Sequence, residues 1–307
     1  MTGRAGPGRS PFETVATLVR LPNLFTAPPD VVLGAALVAA AGNAVTAAPV
    51  AGLAVASVLL YAAGTTLNDY FDAEEDARER PERPIPSGDV SRRGALVLGL
   101  ALLVAGPAVA LLAAGVVAGA VAGGVGLAVL LYDGPFKGSA VGFLFMGSAR
   151  GLNVLLGTTV AGVGPTGLPP WVLCVPVLVL LYVAAVTYMA EGETGRGDRR
   201  AVSAAVGGVT VAAAGVVGLL AVRPPPRLET ALVAVLLVGF LGWTGRPLRA
   251  AYADPVPARI GPAVGACVLG LTVLDAAFAA TVGPVWGLAA LAFLVPAVGL
   301  SRVFDVT

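Results

Sequence analysis

Apolar runs of about twenty residues recur along the chain, separated by short polar stretches. They fall near residues 24–42, 50–69, 92–111, 115–132, 141–162, 170–190, 201–222, 229–249, 259–281 and 284–303. Each approaches the roughly 20 residues that a helix needs to cross the hydrocarbon layer of a bilayer. The pattern predicts an all-α, polytopic membrane helical bundle of about nine to ten transmembrane helices. The shortest joins are at 112–115 and 282–284. Ahead of the first run, Phe12, Val15, Ala16 and Val19 recur at helical spacing, so residues 1–21 read as a cytoplasmic or interfacial segment.

The polar positions give the bundle a direction. With ten spans, 16 of the 19 basic residues fall on the side of the amino terminus, Arg4 and Arg196 among them. The opposite side holds Arg223 and Arg227, around three prolines, and Arg150 falls inside a span. The positive-inside rule then makes both termini cytoplasmic, together with the two acidic loops that follow the second and sixth runs. The expected location is the cytoplasmic membrane, with the lipid bilayer as the first partner.

Composition agrees and excludes several chemistries. The chain is 57% hydrophobic and only 12% charged, with a formal charge of +1. About a quarter of a soluble domain is charged. No nucleic-acid partner is expected. There is no histidine, which removes histidine metal ligands and Ser-His or Cys-His nucleophile pairs. Cys174 and Cys267 sit inside apolar runs and read as small buried hydrophobes. No cleavable signal peptide is evident, because the first ten residues are polar and Gly-rich and the first apolar run is a full span.

The chemistry concentrates where the second apolar run ends, at Asn68-Asp69-Tyr70-Phe71-Asp72-Ala73-Glu74-Glu75-Asp76. If the helix continues, Asn68, Asp72 and Asp76 share one face at i, i+4 and i+8. Stacked carboxylates at a membrane edge need a counter-charge, and a hard divalent cation with oxygen ligands supplies one. The spacing leaves Asp69, Glu74 and Glu75 pointing elsewhere, solvated or paired with Arg78 and Arg80. A few residues on, Arg83-Pro84-Ile85-Pro86-Ser87-Gly88 is a rigid turn carrying a guanidinium. Carboxylates for Mg²⁺ beside an arginine for phosphate oxygens describe a diphosphate site. Glu191, Glu193 and Asp198 form a second acidic cluster on the same side, four spans later. That placement suggests a site between two halves of the bundle.

The chain resembles the UbiA-type membrane prenyltransferase superfamily. The resemblance rests on the Asn68-to-Asp76 element with its Arg-Pro-Ile-Pro-Ser-Gly turn. Arg20 and Asn23, Tyr132 to Lys137, and Arg150-Gly151-Leu152-Asn153 support it. It implies a single domain over 1–307, built around a central cavity. It also implies that Mg²⁺ holds an isoprenyl diphosphate between two acidic loops, and that a hydrophobic or aromatic acceptor captures the allylic cation. By that resemblance Asn68, Asp72, Asp76, Glu193 and Asp198 hold metal, the four carboxylates being the catalytic set. Asn23, Asn68, Arg83, Tyr132, Lys137, Arg150 and Asn153 contact substrate. Where the family's second motif has two aspartates four apart, this chain has Glu191, Glu193 and Asp198. In that respect, and in Asp275 of the ninth run, it is similar to the divergent EboC-like branch.

Other readings of these residues stand beside the catalytic one. Lys137, the chain's one lysine, is either a topology-setting charge or a diphosphate contact. Arg150 faces the cavity or pairs with a buried acid such as Asp275. Asp30, behind Pro28-Pro29, either caps the first span or lines the cavity. The second acidic loop is a metal clamp or a flexible hydrophilic turn. A non-catalytic membrane carrier or assembly subunit for export of a small metabolite would keep the fold and use Arg150 and Asp275 instead.

Overall fold

A computed structural model describes residues 9–162, 164–193 and 197–304. Arg4, Arg196 and the middle of the second acidic loop lie outside the described residues. The elements in order are α1 (Pro11–Leu18), α2 (Leu21–Leu24), α3 (Pro28–Ala40), α4 (Ala47–Phe71), α5 (Ala73–Glu79), α6 (Arg92–Ala114) and α7 (Val116–Asp133). Then come α8 (Ala140–Thr158), two short 3₁₀ turns, α9 (Pro170–Ala190), α10 (Arg199–Val222), α11 (Arg227–Ala253), α12 (Pro257–Ala280), α13 (Pro284–Ala292) and α14 (Leu294–Leu300). Among the described residues there is no strand, and nine stretches are helical, apolar and long enough to span a membrane.

The tenth apolar run behaves differently. It is helical over Pro284–Leu300, only 17 residues, or about 25 Å against a hydrocarbon layer of about 30 Å. It also breaks between Ala292 and Leu294. Pro296 explains the break: it has no N–H to give the Ala292 carbonyl, four residues back. The pair still carries the chain back to its starting end, where the Phe304 ring meets Phe12 edge-on at 6.3 Å. The tight join near 112–115 resolves as one residue, Gly115, at φ 88°, a backbone setting that favours glycine.

Helix α3 and helix α12 are the interior of the bundle. In each, 83% of the span is buried, against 22% for α6 and α11. A buried helix must be apolar all round rather than striped, and Val31 to Val38 of α3 are all buried. Small residues let this interior close up. Gly34 of α3 and Gly157 of α8 stand backbone to backbone, and a Cβ on either would strike the Val154 or Val31 carbonyl oxygen. That contact sets α8 against the start of α3, which fixes the depth of Arg150 and Asn153. The four residues that share the expected face of α1 and its end divide: Ala16 and Val19 are buried, while Phe12 and Val15 are exposed.

Candidate active site: an ion-paired mouth on a cavity between helices

A cavity of about 540 Å³ opens at the end of the bundle where α4 gives way to α5. Its mouth holds Arg20, Asn68, Asp72, Asp76, Arg83, Asp133, Lys137 and Glu193, and its inner walls are largely apolar. A larger hollow of about 630 Å³ lies elsewhere on the bundle, lined by Trp171, the Pro224-Pro225-Pro226 turn and Thr281. Its only charged residues are Arg223 and Glu229, so it carries no candidate chemistry.

The acidic element folds nearly as its spacing predicts. Helix α4 stops at Phe71 and α5 begins at Ala73, so the helix is bent at Asp72 rather than continuous. The backbone ladder survives the bend, with Asp72 N–H bonded to Asn68 O at 2.9 Å and Asp76 N–H to Asp72 O at 2.8 Å. Asn68, Asp72 and Asp76 therefore keep one face and all line the cavity.

Four of the five carboxylates of this element are turned to a cation; the fifth, Glu75, is exposed and lines the cavity rather than pointing away from it. Asp72 takes the Lys137 ammonium, and Asp76 takes Arg83 at 2.9 Å. Asp69 corrects the expectation of a solvated residue. It is 4% exposed and is held by Arg20 and Arg83, both at 3.3 Å. Glu74 pairs with Arg92 at 3.3 Å, not with Arg78 or Arg80. Asn68 is fully engaged: its Oδ1 accepts from Arg20 at 3.2 Å and its Nδ2 donates to Asp133 at 2.9 Å. Asp133 went unnoticed in the sequence. Its signal was one carboxylate closing an apolar run just before Gly134-Pro135.

The second acidic loop divides. Glu193 lines the cavity, and its buried Oε1 has no hydrogen-bond partner among the described residues. Burial pushes its carboxyl above the ordinary glutamate value, while Arg80, Arg20 and Arg83 pull the other way. Glu191 also lines the cavity and is likewise raised by burial, against the pull of Lys137. Asp198 corrects its expected place. It does not line the cavity but caps α10, accepting the Arg200 amide at 2.9 Å. A carboxylate just ahead of a helix is drawn to the free N–H groups of the first turn.

Deeper in, Asn23, Tyr132, Arg150 and Asn153 all line the cavity. Arg150 does not pair with Asp275. It reaches Asp30 at 3.2 Å and donates to the Thr26 carbonyl at 2.6 Å. Asn153 donates to Ala27 O at 2.9 Å and to Asp30 at 2.8 Å. Asp30 and Asp275 are fully buried, and neither lines the cavity.

The donor chemistry fits a hard divalent cation. The anionic groups facing the cavity are all carboxylates, and Glu193 offers a buried oxygen with no partner. Such oxygens suit Mg²⁺. Among the described residues no three acidic groups stand close enough to share one ion, because Asp72 and Asp76 are turned to Lys137 and Arg83.

A polytopic helical bundle with carboxylates and guanidinium groups gathered at the mouth of an apolar cavity defines a membrane-embedded site for a polar head on an apolar tail. Residues 31–202, more than half of the chain, match the UbiA prenyltransferase family, and the chain belongs to that family. A digeranylgeranylglyceryl phosphate synthase of Halobacterium salinarum is 34% identical over 217 residues, covering 66% of this chain and 71% of that one. Two others, from Ignicoccus hospitalis and Haloquadratum walsbyi, are 47% and 50% identical over 90 and 66 residues. Those two matches span only 28% and 23% of the relatives' own lengths. The apo structure of a UbiA homolog from Aeropyrum pernix has a TM-score of 0.63 at 20% identity, covering 83% of this chain and 96% of that one. A UbiA homolog from Archaeoglobus fulgidus, bound to GPP and Mg²⁺, has a TM-score of 0.60 at 15% identity, covering 91% and 99%. At such identities the structures establish the shared fold.

Proposed function

We propose that the protein transfers an isoprenyl group from an isoprenyl diphosphate to a hydrophobic acceptor within the membrane, with Mg²⁺ as cofactor. The observation that carries this reading is the sorting of charge. Cations and carboxylates crowd one end of a cavity whose remaining walls include Leu60, Val125, Val129, Val183, Val186 and Leu271. The relative bound to GPP and Mg²⁺ supports it.

Asp72, Asp76 and Glu193 would hold the metal, which when bound supplies positive charge to a departing diphosphate. Asn68 acts differently: it fixes Asp133 and Arg20 beside those carboxylates. Arg20, Arg83 and Lys137 take phosphate oxygens. In the described state Lys137 and Arg83 are taken by Asp72 and Asp76, while Glu193 Oε1 has no partner among the described residues. Ligand entry would exchange these partners, Lys137 and Arg83 turning to phosphate oxygens and Asp72 and Asp76 to the metal. The apolar walls keep water from a carbon that becomes cationic as its C–O bond breaks. Asp275, which a carrier would need along its path, is fully buried and touches no opening of this cavity.

The test is incubation of the purified protein with Mg²⁺ and isoprenyl diphosphates of increasing length, following diphosphate release. Release that requires Mg²⁺ is expected. No release at any chain length, with several phenolic, quinol and glycerol-phosphate acceptors present, would overturn the reading. We further propose that the mouth is cytoplasmic, from the charge distribution. A cysteine placed at Glu74, in a protein lacking Cys174 and Cys267, should be shielded from an impermeant thiol reagent in intact cells. Labelling from outside would reverse the orientation.

A further inference from the structure

The inner part of the cavity holds polar groups with nothing to bind. Along α4, Ser57, Tyr61, Thr65 and Asn68 line the cavity at helical spacing. At 1.5 Å per residue, Tyr61 stands about 10 Å and Ser57 about 16 Å inward of Asn68. From α8, Arg150 and Asn153 face the same space, one turn apart. The Arg150 guanidinium carbon lies 5.9 Å from the centroid of the Tyr61 ring, so the two walls meet at that depth.

Arg150 is 8% exposed. Its Nη2 is used by Thr26 and its Nε faces Asp30, but its Nη1 has no partner among the described residues. Asn153 is 4% exposed, and its Oδ1 is likewise unpartnered. So is the hydroxyl of Ser57, a residue 2% exposed. A free donor, a free acceptor and a free hydroxyl therefore line one apolar space. Buried polar groups are normally hydrogen-bonded, so unpaired ones in a cavity wall mark the place of whatever enters, water at rest and ligand when it binds.

Charge decides what kind of ligand. Asp30, 3.2 Å from the guanidinium, already balances the charge of Arg150. An anion brought here would be an extra buried charge without a counter-ion, whereas a neutral oxygen would not.

We infer that Arg150, Asn153 and Ser57 form a second polar subsite, inward of the diphosphate mouth, for the head group of a neutral acceptor bearing a carbonyl or hydroxyl oxygen. Quinones, quinols and phenols have that chemistry; carboxylates and phosphates do not. This rests on the prenyl-transfer reading, since it assigns the acceptor of that reaction. Arg150 Nη1 donates to the ligand oxygen, Asn153 Oδ1 accepts from a ligand hydroxyl, and the Tyr61 ring lies alongside.

The probes are 4-hydroxyacetophenone and 4-hydroxybenzoate, which share a ring and differ in charge, titrated into the full chain in lipid nanodiscs. Binding of geranyl diphosphate with Mg²⁺ is measured separately. The ketone should bind about tenfold more tightly than the carboxylate, and Arg150→Met should weaken ketone binding about tenfold while leaving geranyl diphosphate binding within about twofold. Because Arg150→Met strips Asp30 of its cation, Ser57→Ala serves as the gentler variant, with an expected loss of about threefold. Equal or tighter binding of the carboxylate overturns the inference. So does ketone affinity that is undetectable in the wild type, or unchanged in both variants. Absence of Mg²⁺-dependent geranyl diphosphate binding strikes the prenyl-transfer reading instead, and ketone binding that follows Arg150 and Ser57 would leave the subsite standing.

Discussion

The two acidic regions at the cavity mouth are built on opposite plans. In the first, Asp69, Asp72 and Asp76 ride one helix and its continuation, and every carboxylate has a cation within reach. In the second, Glu193 faces the same cavity with a buried oxygen that nothing among the described residues satisfies, and Asp198 is spent on capping α10. The first region is thus complete without a ligand, whereas on the proposed reading the second would be completed by one. The second side reduces to Glu193, with Glu191 near it, rather than a stack of two aspartates. An all-carboxylate site can tolerate that change of pattern, since glutamate offers the same oxygen on a longer arm.

The sharpest way to break this contrast is to empty the first region. Asp72→Ala and Asp76→Ala should each lower Mg²⁺-dependent diphosphate release by about a hundredfold or more, because each removes a metal-holding oxygen and frees a cation that it had oriented. Assays of release beside affinity for geranyl diphosphate check this. Near-wild-type release in either variant would remove the stacked carboxylates from the site.

A smaller effect is expected on the other side, and there the two acids should separate. Glu193→Ala should reduce turnover more than tenfold while weakening diphosphate binding only about threefold, if its oxygen stabilises charge that grows as the diphosphate departs. Asp198→Ala should leave turnover nearly intact and lower stability by about 1 kcal/mol, the usual cost of losing a helix cap. Kinetics paired with thermal unfolding would show whether both acids are really clamps, in which case both variants would lose turnover alike.

The smallest effect is electrostatic. Burial raises the Glu193 carboxyl above its ordinary value in the folded protein. Protonated Glu193 therefore favours the folded state, a contribution fully present below the unfolded value of about 4.5 and lost as pH rises through the raised one. Glu193→Gln should accordingly stabilise the metal-free protein at pH 7 and do little at pH 4. Added Mg²⁺ and geranyl diphosphate should reverse the sign at pH 7. Melting curves at both pH values check it, and a variant no more stable than wild type at pH 7 would mean that Glu193 is already compensated.

The unequal legibility of the two regions has a local cause. The spacing of Asn68, Asp72 and Asp76 could be read because a helix puts i, i+4 and i+8 on one face whatever surrounds it. Even the bend at Asp72 leaves that ladder in place. No such rule governs residues 191–198, where the chain leaves one helix and enters another. There the carboxylates are shared out by whichever backbone N–H groups and cavity walls come near, and spacing cannot express that.

Hydropathy and helical period, both local properties, thus determined the membrane class and the first acidic face from the sequence alone; of the ten runs they marked, the structure keeps nine as long spans. The family followed from motifs carried by those same segments. Partner choice was decided only when the helices met. Arg150 finds Asp30 rather than Asp275 because Gly34 and Gly157 let α3 and α8 close to backbone contact, which sets that guanidinium beside the first turn of α3. Asp69 is buried rather than solvated because Arg20 and Arg83 arrive from different segments to cover it. A charge in an apolar bundle must be paired. Which group pairs it depends on distances between helices, and those distances are set by packing across the whole chain.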